Sequence, residues 1–351
     1  MGLSIVVETK EFDYFLPDEL IARFPLKKRS DSRILYVSGN KKSFPEALFP
    51  SLSLFLNDKD VLIMNDTRVI KSRLIGKKKS GGVVEFLCTR ILSLKTANGL
   101  LRSNRPIKID SELFFAGKYK AIVEEKLGEE YLLRFEFPIK KILEAVAMLA
   151  LPPYMGRDSM LADEKRYQTI YGSKPGAIAA PTAGLHFDEE LINVIKSKGV
   201  EVGFITLHVG LGTFKPVRSK LISHHQMHEE YFSVSEKTVD LIKRARARGG
   251  RVVAVGTTTL RALESISDGD QINAFEGNTG IFIFPGYEFN VVDVLVTNFH
   301  LPKSTLLMLV YAFGGIEQVR AAYKHAIEKK FRFYSYGDAM CISRRCIENE
   351  E

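Results

Sequence analysis

The sequence predicts a mixed α/β fold: a large α/β domain with a mixed sheet, interrupted by a small inserted antiparallel β-barrel. Three observations carry this. Buried-strand runs such as Asp60-Val61-Leu62-Ile63-Met64-Asn65 and Arg251-Val252-Val253-Ala254-Val255-Gly256 alternate with amphipathic helical stretches at both ends of the chain. Between them, residues 72–137 break into short alternating runs separated by Gly-, Asn- and Lys-rich turns, with no helical period. The length, 351 residues with 45% hydrophobic, suffices for two cores. The expected boundaries are 1–71 and 150–351 for the discontinuous large domain and 72–149 for the barrel.

Composition narrows the class. A formal charge of +8 raises the expectation of a polyanionic partner. Cys88, Cys341 and Cys346 make an odd count without metal spacing, which argues against a disulfide framework and fits the cytoplasm. No signal peptide opens the chain, and position 6 is Val6 rather than the Ser or Thr of a myristoylation motif. The longest apolar region, 291–313, is broken by Asp293, His300, Pro302 and Lys303, so a core segment rather than a membrane span is expected.

In chain order, residues 12–16 read as a short strand and Pro17 or Asp18 as a helix start. Lys27, Lys28, Arg29 and Arg33 surround Asp31, as a solvated loop or a phosphate-facing patch. Residues 33–37 are a strand. Residues 60–65 are a buried one, with Asp66, Thr67 and Arg68 just past its C-terminal end, where α/β ligand sites tend to lie; a capped turn is the alternative. In the barrel, Lys77-Lys78-Lys79 marks a hairpin tip. Residues 139–150 form an apolar helix stopped by Pro152-Pro153. Residues 163–171 are amphipathic, their tyrosines core contacts or stacking platforms.

Residues 180–217 read as loop, helix, strand, loop. Asp188 is the N-cap, Glu189 and Glu190 suit the first turn, and Gly199 stops the helix before a strand over 200–209. Each flanking loop pairs a histidine with glycines and a threonine: Thr182, Gly184 and His186 before, His208, Gly210, Gly212 and Thr213 after. Glycines admit close backbone approach, and hydroxyl and imidazole supply polar contacts. His224, His225, His228, Glu229 and Glu230 form the densest polar cluster; acid–base work, substrate orientation, a surface turn and a metal site are the readings, and a metal is not favoured. A helix over 235–248 precedes the 251–256 strand. Gly256, Thr257 and Thr258 then open a helix, forming an anion site or a plain cap; neither a P-loop lysine nor dinucleotide spacing is present. Strands are expected at 280–286 and 291–296, the second ending in Asn298 and His300. A helix or strand over 306–313, a helix over 317–328 and an aromatic strand over 331–341 complete the chain, with Asp338 a further site candidate.

Read so far, this is an α/β enzyme with a small-molecule site. PTAGLHF, HVGLGTF, AVGTTTLRALES and TNFHLPKSTLLMLVYAFGG, in this order, resemble the S-adenosylmethionine:tRNA ribosyltransferase-isomerase family of the queuosine pathway. The likeness runs from Phe12-Asp13-Tyr14 to Tyr336-Gly337-Asp338-Ala339-Met340. It implies transfer and isomerisation of the ribosyl moiety of S-adenosylmethionine onto 7-aminomethyl-7-deazaguanine at the tRNA wobble position, giving epoxyqueuosine with release of adenine and methionine. S-adenosylmethionine is then a consumed co-substrate, and no metal or redox cofactor is implied. The expected catalytic residues are His186, His208, His225 and His228, with His186 and His208 preferred as the proton-transfer pair. The expected substrate-binding residues are Asp66, Arg68, Thr182, Gly184, Gly210, Gly212, Thr213, Gly256, Thr257, Thr258, Asn298 and His300. A cytoplasmic monomer that binds tRNA on a basic face and needs no membrane completes the expectation. The lysine tip could face tRNA or merely solubilise. A methyltransferase and a non-catalytic tRNA-binding protein are the alternatives; product analysis separates them.

Overall fold

The computed structural model describes residues 7–39, 43–210, 212, 217, 219–269 and 271–344. The chain divides into two units, Met1–Arg68 with Pro153–Arg157 and Arg166–Glu351, and Val69–Pro152 with Asp158–Lys165. Its strands are β1 (Arg33–Ser38), β2 (Glu46–Leu48), β3 (Val61–Asn65), β4 (Thr67–Val69), then β5 (Arg73–Lys78), β6 (Val83–Ile91), β7 (Thr96–Ser103), β8 (Glu112–Phe115), β9 (Tyr119–Leu127) and β10 (Glu130–Phe135). There follow β11 (Lys174–Ala177), β12 (Glu201–Leu207), β13 (Glu230–Val234), β14 (Val252–Val255), β15 (Ser267–Asp268), β16 (Gln271–Ile272), β17 (Phe275–Thr279), β18 (Val294–Asn298) and β19 (Ala339–Ser343). The helices are α1 (Leu52–Phe55), α2 (Ile139–Val146), α3 (Leu161–Arg166), α4 (Glu189–Ser197), α5 (Glu236–Ala247), α6 (Thr257–Ser265), α7 (Thr305–Gly314) and α8 (Ile316–Glu328).

The first unit is built on a nine-stranded mixed sheet, order β17-β13-β12-β3-β14-β18-β19-β1-β2. Its four central strands, β12, β3, β14 and β18, are mutually parallel. β3, β14 and β18 are buried throughout, so their sequences are continuous apolar runs rather than alternating ones. Successive residues feed opposite cores. Val61, Ile63, Ala254 and Leu295 face a layer with α5 to α8, whereas Leu62, Met64, Val253 and Val296 face a second layer with α4. Parallel pairing has one consequence for function: the C-terminal ends of all four strands, and the loops after them, share one edge of the sheet.

The second unit is a closed barrel of six strands, order β10-β7-β6-β5-β8-β9, every pair antiparallel. Phe86, Phe115 and Phe135 fill its centre with ring centroids 5.9 to 6.3 Å apart. The fold class is therefore the one the sequence predicts.

Several elements differ from expectation. Residues 12–16 are not a strand: Thr9–Phe12 is a 3-10 turn, and the expected helix after Pro17 is only the turn Asp18–Leu20. The chain instead runs extended beside Phe333, whose carbonyl accepts from Ala22 N. Helix α2 stops at Val146, because Met148 exchanges backbone hydrogen bonds with Arg73. Residues 281–284 enter no ladder, and β18 starts only at Val294, since the N–H groups of Val291 and Val292 donate to the Glu264 carboxylate. The last strand is β19 alone. Before it, Asp338 is a buried anchor that accepts from Arg33 N and Arg332 N, both at 2.8 Å. The 306–313 segment is helical, with the Ser304 side chain capping Leu307 N.

Candidate functional site

The loop after β14 turns at Gly256, where φ is +92° and ψ 149°. Side-chain-bearing residues rarely occupy that region, so the turn requires glycine. Helix α6 starts immediately, and its first N–H groups and the hydroxyls of Thr257 and Thr258 border a cleft with about 530 Å³ of atom-free space, part of it open to solvent. Thr182 and Pro181 come from the segment before α4, Asn298 from the end of β18 and His300 from the loop after it, and Tyr154, Tyr334 and Ser335 complete the lining. Six expected residues, Thr182, Gly256, Thr257, Thr258, Asn298 and His300, thus meet in one cleft.

The cleft lining is mostly apolar, with a few polar side chains and no charged one. Burial pushes the His300 pKa down to about 3, so its ring is neutral, hydrogen-bonded through Nε2 to Thr297 Oγ1 at 2.8 Å. The rings of Tyr154 and Tyr334 lie 4.6 Å apart, an electron-rich wall for a cation. A second, smaller pocket shares Ser335 with the cleft and is lined by Lys28, Arg29, Ser32, Arg166 and His186. His186 Nδ1 lies 2.7 Å from Ser32 Oγ, and the ring stacks on Phe49. Its Nε2 and Asn298 Oδ1 are both buried without a well-formed hydrogen bond. Burial pushes the His186 pKa down to about 4; the Asn298 side chain opposes this, while Arg332 and Arg29 reinforce it. Arg33 is not in this pocket: its guanidinium covers Phe331 at 3.7 Å.

His208, Asp66 and Arg68 form another group on the same sheet edge. His208 Nδ1 is 2.8 Å from Thr67 Oγ1, and the ring stacks on Tyr231. Burial lowers its pKa, and the Asp66 charge opposes the shift. Asp66 accepts from Thr206 (2.6 Å) and Ser173 (3.1 Å), and Arg68 is exposed with a weak contact to Gly172 O. Asn65 joins this group to the cleft. Its Nδ2 donates to Leu207 O (3.0 Å) and Thr258 Oγ1 (3.3 Å), and its Oδ1 accepts from Thr67 N (3.1 Å) and Leu207 N (3.0 Å). All four hydrogen-bonding positions of that buried amide are used.

The remaining expected residues that the structure describes lie outside the cleft lining. Gly184 leaves room for Tyr171, whose hydroxyl would stand 2.1 Å from an added Cβ. Gly210 N donates at 2.9 Å to Glu230, which also pairs with buried Arg261. Gly212 packs on the His228 ring, and His225 on Phe282. His225 and His228 do not share a helix, because the 3-10 turn Ile222–His224 ends before them. Burial lowers the His225 pKa, and the charge of His228 adds to this. Thr213 lies outside the described residues. Among the described residues, no group of three metal-ligating side chains converges.

The profile of the queuosine biosynthesis protein family matches residues 9–342. The chain belongs to that family. Among its relatives in the queuosine family, the S-adenosylmethionine:tRNA ribosyltransferase-isomerase of Nitrosospira multiformis is 48% identical, over 96% of this chain and 99% of that protein. The enzyme of the same name from Nitrosomonas europaea is 47% identical, over 97% and 98%. The crystal structure of S-adenosylmethionine tRNA ribosyltransferase from Thermotoga maritima is similar, with a TM-score of 0.55 and 34% identity, over 95% of this chain and 99% of that one.

Sequence reasoning missed Tyr154, Ser335, Asn65 as a connector, Arg166 and the Glu230–Arg261 pair. Arg261 lies inside the AVGTTTLRALES motif, on α6, and a buried arginine there needs a carboxylate, which is the signal that was available. Tyr154 and Ser335 had none, since they reach the cleft from irregular loops.

Proposed function

We propose that this chain is an S-adenosylmethionine:tRNA ribosyltransferase-isomerase. It transfers and isomerises the ribosyl moiety of S-adenosylmethionine onto 7-aminomethyl-7-deazaguanine at the wobble position, giving epoxyqueuosine and releasing adenine and methionine. The observation that carries this is near-full-length identity of 47 to 48% to relatives bearing that name, together with the cleft into which Thr182, Thr258, Asn298 and His300 converge.

The cleft suits the co-substrate. We place the methionyl carboxylate at the α6 N-terminus, where Thr257 and Thr258 line the cleft and the helix dipole favours an anion. Thr258 Oγ1 already accepts from Asn65, so its own proton remains for the ligand. The sulfonium lies against the Tyr154–Tyr334 wall. The sulfonium acidifies the ribose C5′–H, so a base is needed there, and adenine departs better when a ring nitrogen is protonated. His300, neutral and lining the cleft, orients the ligand, while His186 lies in the adjoining pocket and supports Asn298. His208 lies outside the cleft on the same sheet edge, tied to it through Thr67 and Asn65, and we assign it the proton-transfer role. The co-substrate is consumed, and no resident metal or redox group takes part.

The protein is proposed to act as a cytoplasmic monomer on tRNA. No helix among the described residues is long and apolar enough to cross a membrane. The test is incubation with S-adenosylmethionine and tRNA carrying the aminomethyl base, followed by mass spectrometry. Epoxyqueuosine with free adenine and methionine is expected; S-adenosylhomocysteine with a methylated nucleoside would reject the reading.

A further inference from the structure

The pocket next to the cleft has a composition that the transfer chemistry does not explain. Lys28, Arg29 and Arg166 are among its lining residues, and no carboxylate is. Its atom-free space is about 280 Å³, much of it open to solvent. Arg29 Nη1 donates to Leu185 O at 3.1 Å and Arg166 Nη1 to Lys27 O at 2.9 Å, so both guanidiniums are fixed by the backbone. One buried polar atom of a lining residue, Arg166 Nε, has no hydrogen-bond partner, whereas His186 Nε2 faces the Asn298 side chain. Buried polar atoms are nearly always satisfied, and an exception asks for a missing ligand.

The charges add to this. Burial lowers the Arg29 pKa and the neighbouring charge of Arg166 lowers it further, with Tyr336, Tyr171 and the Asp188 carboxylate opposing the shift. Two like charges held side by side are relieved by an anion between them, and guanidinium groups match phosphate geometry.

We propose that this pocket is a phosphodiester subsite, holding a backbone phosphate of the tRNA beside the nucleotide being modified. The inference rests on tRNA being the substrate. Ser335 lines both the pocket and the cleft, so the phosphate and the reacting nucleoside are neighbours. The other oxyanion in the reaction is the methionyl carboxylate. It carries an ammonium on the adjacent carbon, which three cations would repel and for which the lining offers no carboxylate. A phosphodiester brings no such companion.

The test compares wild type with Arg166→Gln and with Lys28→Gln at the exposed rim, measuring tRNA affinity over a salt series and the KM for S-adenosylmethionine. Each variant is expected to weaken tRNA binding about tenfold and to reduce the slope of log affinity against log salt by about one, with KM for S-adenosylmethionine unchanged. Arg166→Lys keeps the charge and is expected to keep most of the slope. A raised KM for S-adenosylmethionine with an unchanged salt slope would assign the pocket to the carboxylate and overturn the proposal. So would no change in either, or loss of binding in Arg166→Gln with a wild-type slope in Lys28→Gln. If wild type forms no epoxyqueuosine, the functional reading itself fails, which is a separate result.

Discussion

His186 and His300 are the residues whose chemistry differs most from what their sequence positions suggest. A histidine in a polar loop invites an acid–base role, because its ordinary pKa lies near neutrality. Burial moves these two to about 4 and about 3. Their folded pKa values lie below the unfolded value, so between those values the unfolded chain binds more protons and stability rises with pH. Stability is therefore expected to fall as pH drops below about 6.5 toward about 4. The urea midpoint measured over that range checks this, and His186→Gln is expected to give a shallower loss. Thr258 makes a second prediction at this scale. Thr258→Val leaves one Asn65 N–H unpaired, at a cost of about 1–3 kcal/mol, and raises the KM for S-adenosylmethionine, whereas Thr258→Ser keeps both near wild type. Denaturation and steady-state kinetics on the pair separate the effects. Residue roles were only partly legible in the sequence, because a pKa depends on burial, and burial of a loop histidine depends on partners such as Phe49 that are distant in the chain.

Among the elements, the buried strands and their loops were the most legible. The runs around Val61–Asn65 and Val252–Val255 are unbroken apolar sequences, and a parallel sheet covered on both faces dictates such runs. Segments fixed by a single side chain were not legible. Glu264 takes the N–H groups of residues 290–292, so the 291–296 run begins as a loop although its composition favours a strand. The aromatic residues of 331–336 serve packing, and Phe333 makes an isolated bridge to Ile21. The Gly256 turn makes a prediction for the β14–α6 unit. Gly256→Ala is expected to cost about 1–3 kcal/mol through backbone strain and to weaken S-adenosylmethionine binding, as read by denaturation and calorimetry. At the opposite edge of the sheet, just before β3, fully buried Asp60 accepts from Nε (3.1 Å) and Nη2 (2.6 Å) of Arg251, the residue before β14, and from two backbone N–H groups. Asp60→Ala strands the arginine and is expected to cost about 3–5 kcal/mol in urea denaturation.

For the whole molecule, the sequence yielded the two-part architecture because the barrel announces itself by a change of period. It also yielded the sheet edge on which ligands collect, since ligand sites follow parallel strands. It could not order the loops on that edge, which depends on the strand sequence β12-β3-β14-β18. That order separates His208 and Asp66 from the cleft while linking them to it through Asn65. The charge of +8 is expected to act through phosphate contacts, so tRNA affinity should fall steeply with added salt; a flat dependence would reject a tRNA-sized footprint. The central claim is that this fold moves the ribosyl group, and not the methyl group, of S-adenosylmethionine onto tRNA. The most direct measurement is a double-label transfer, with one isotope in the ribose and another in the methyl group, counting what remains on the purified tRNA. Ribose label without methyl label is the predicted result, and methyl label on the tRNA without ribose label would contradict it.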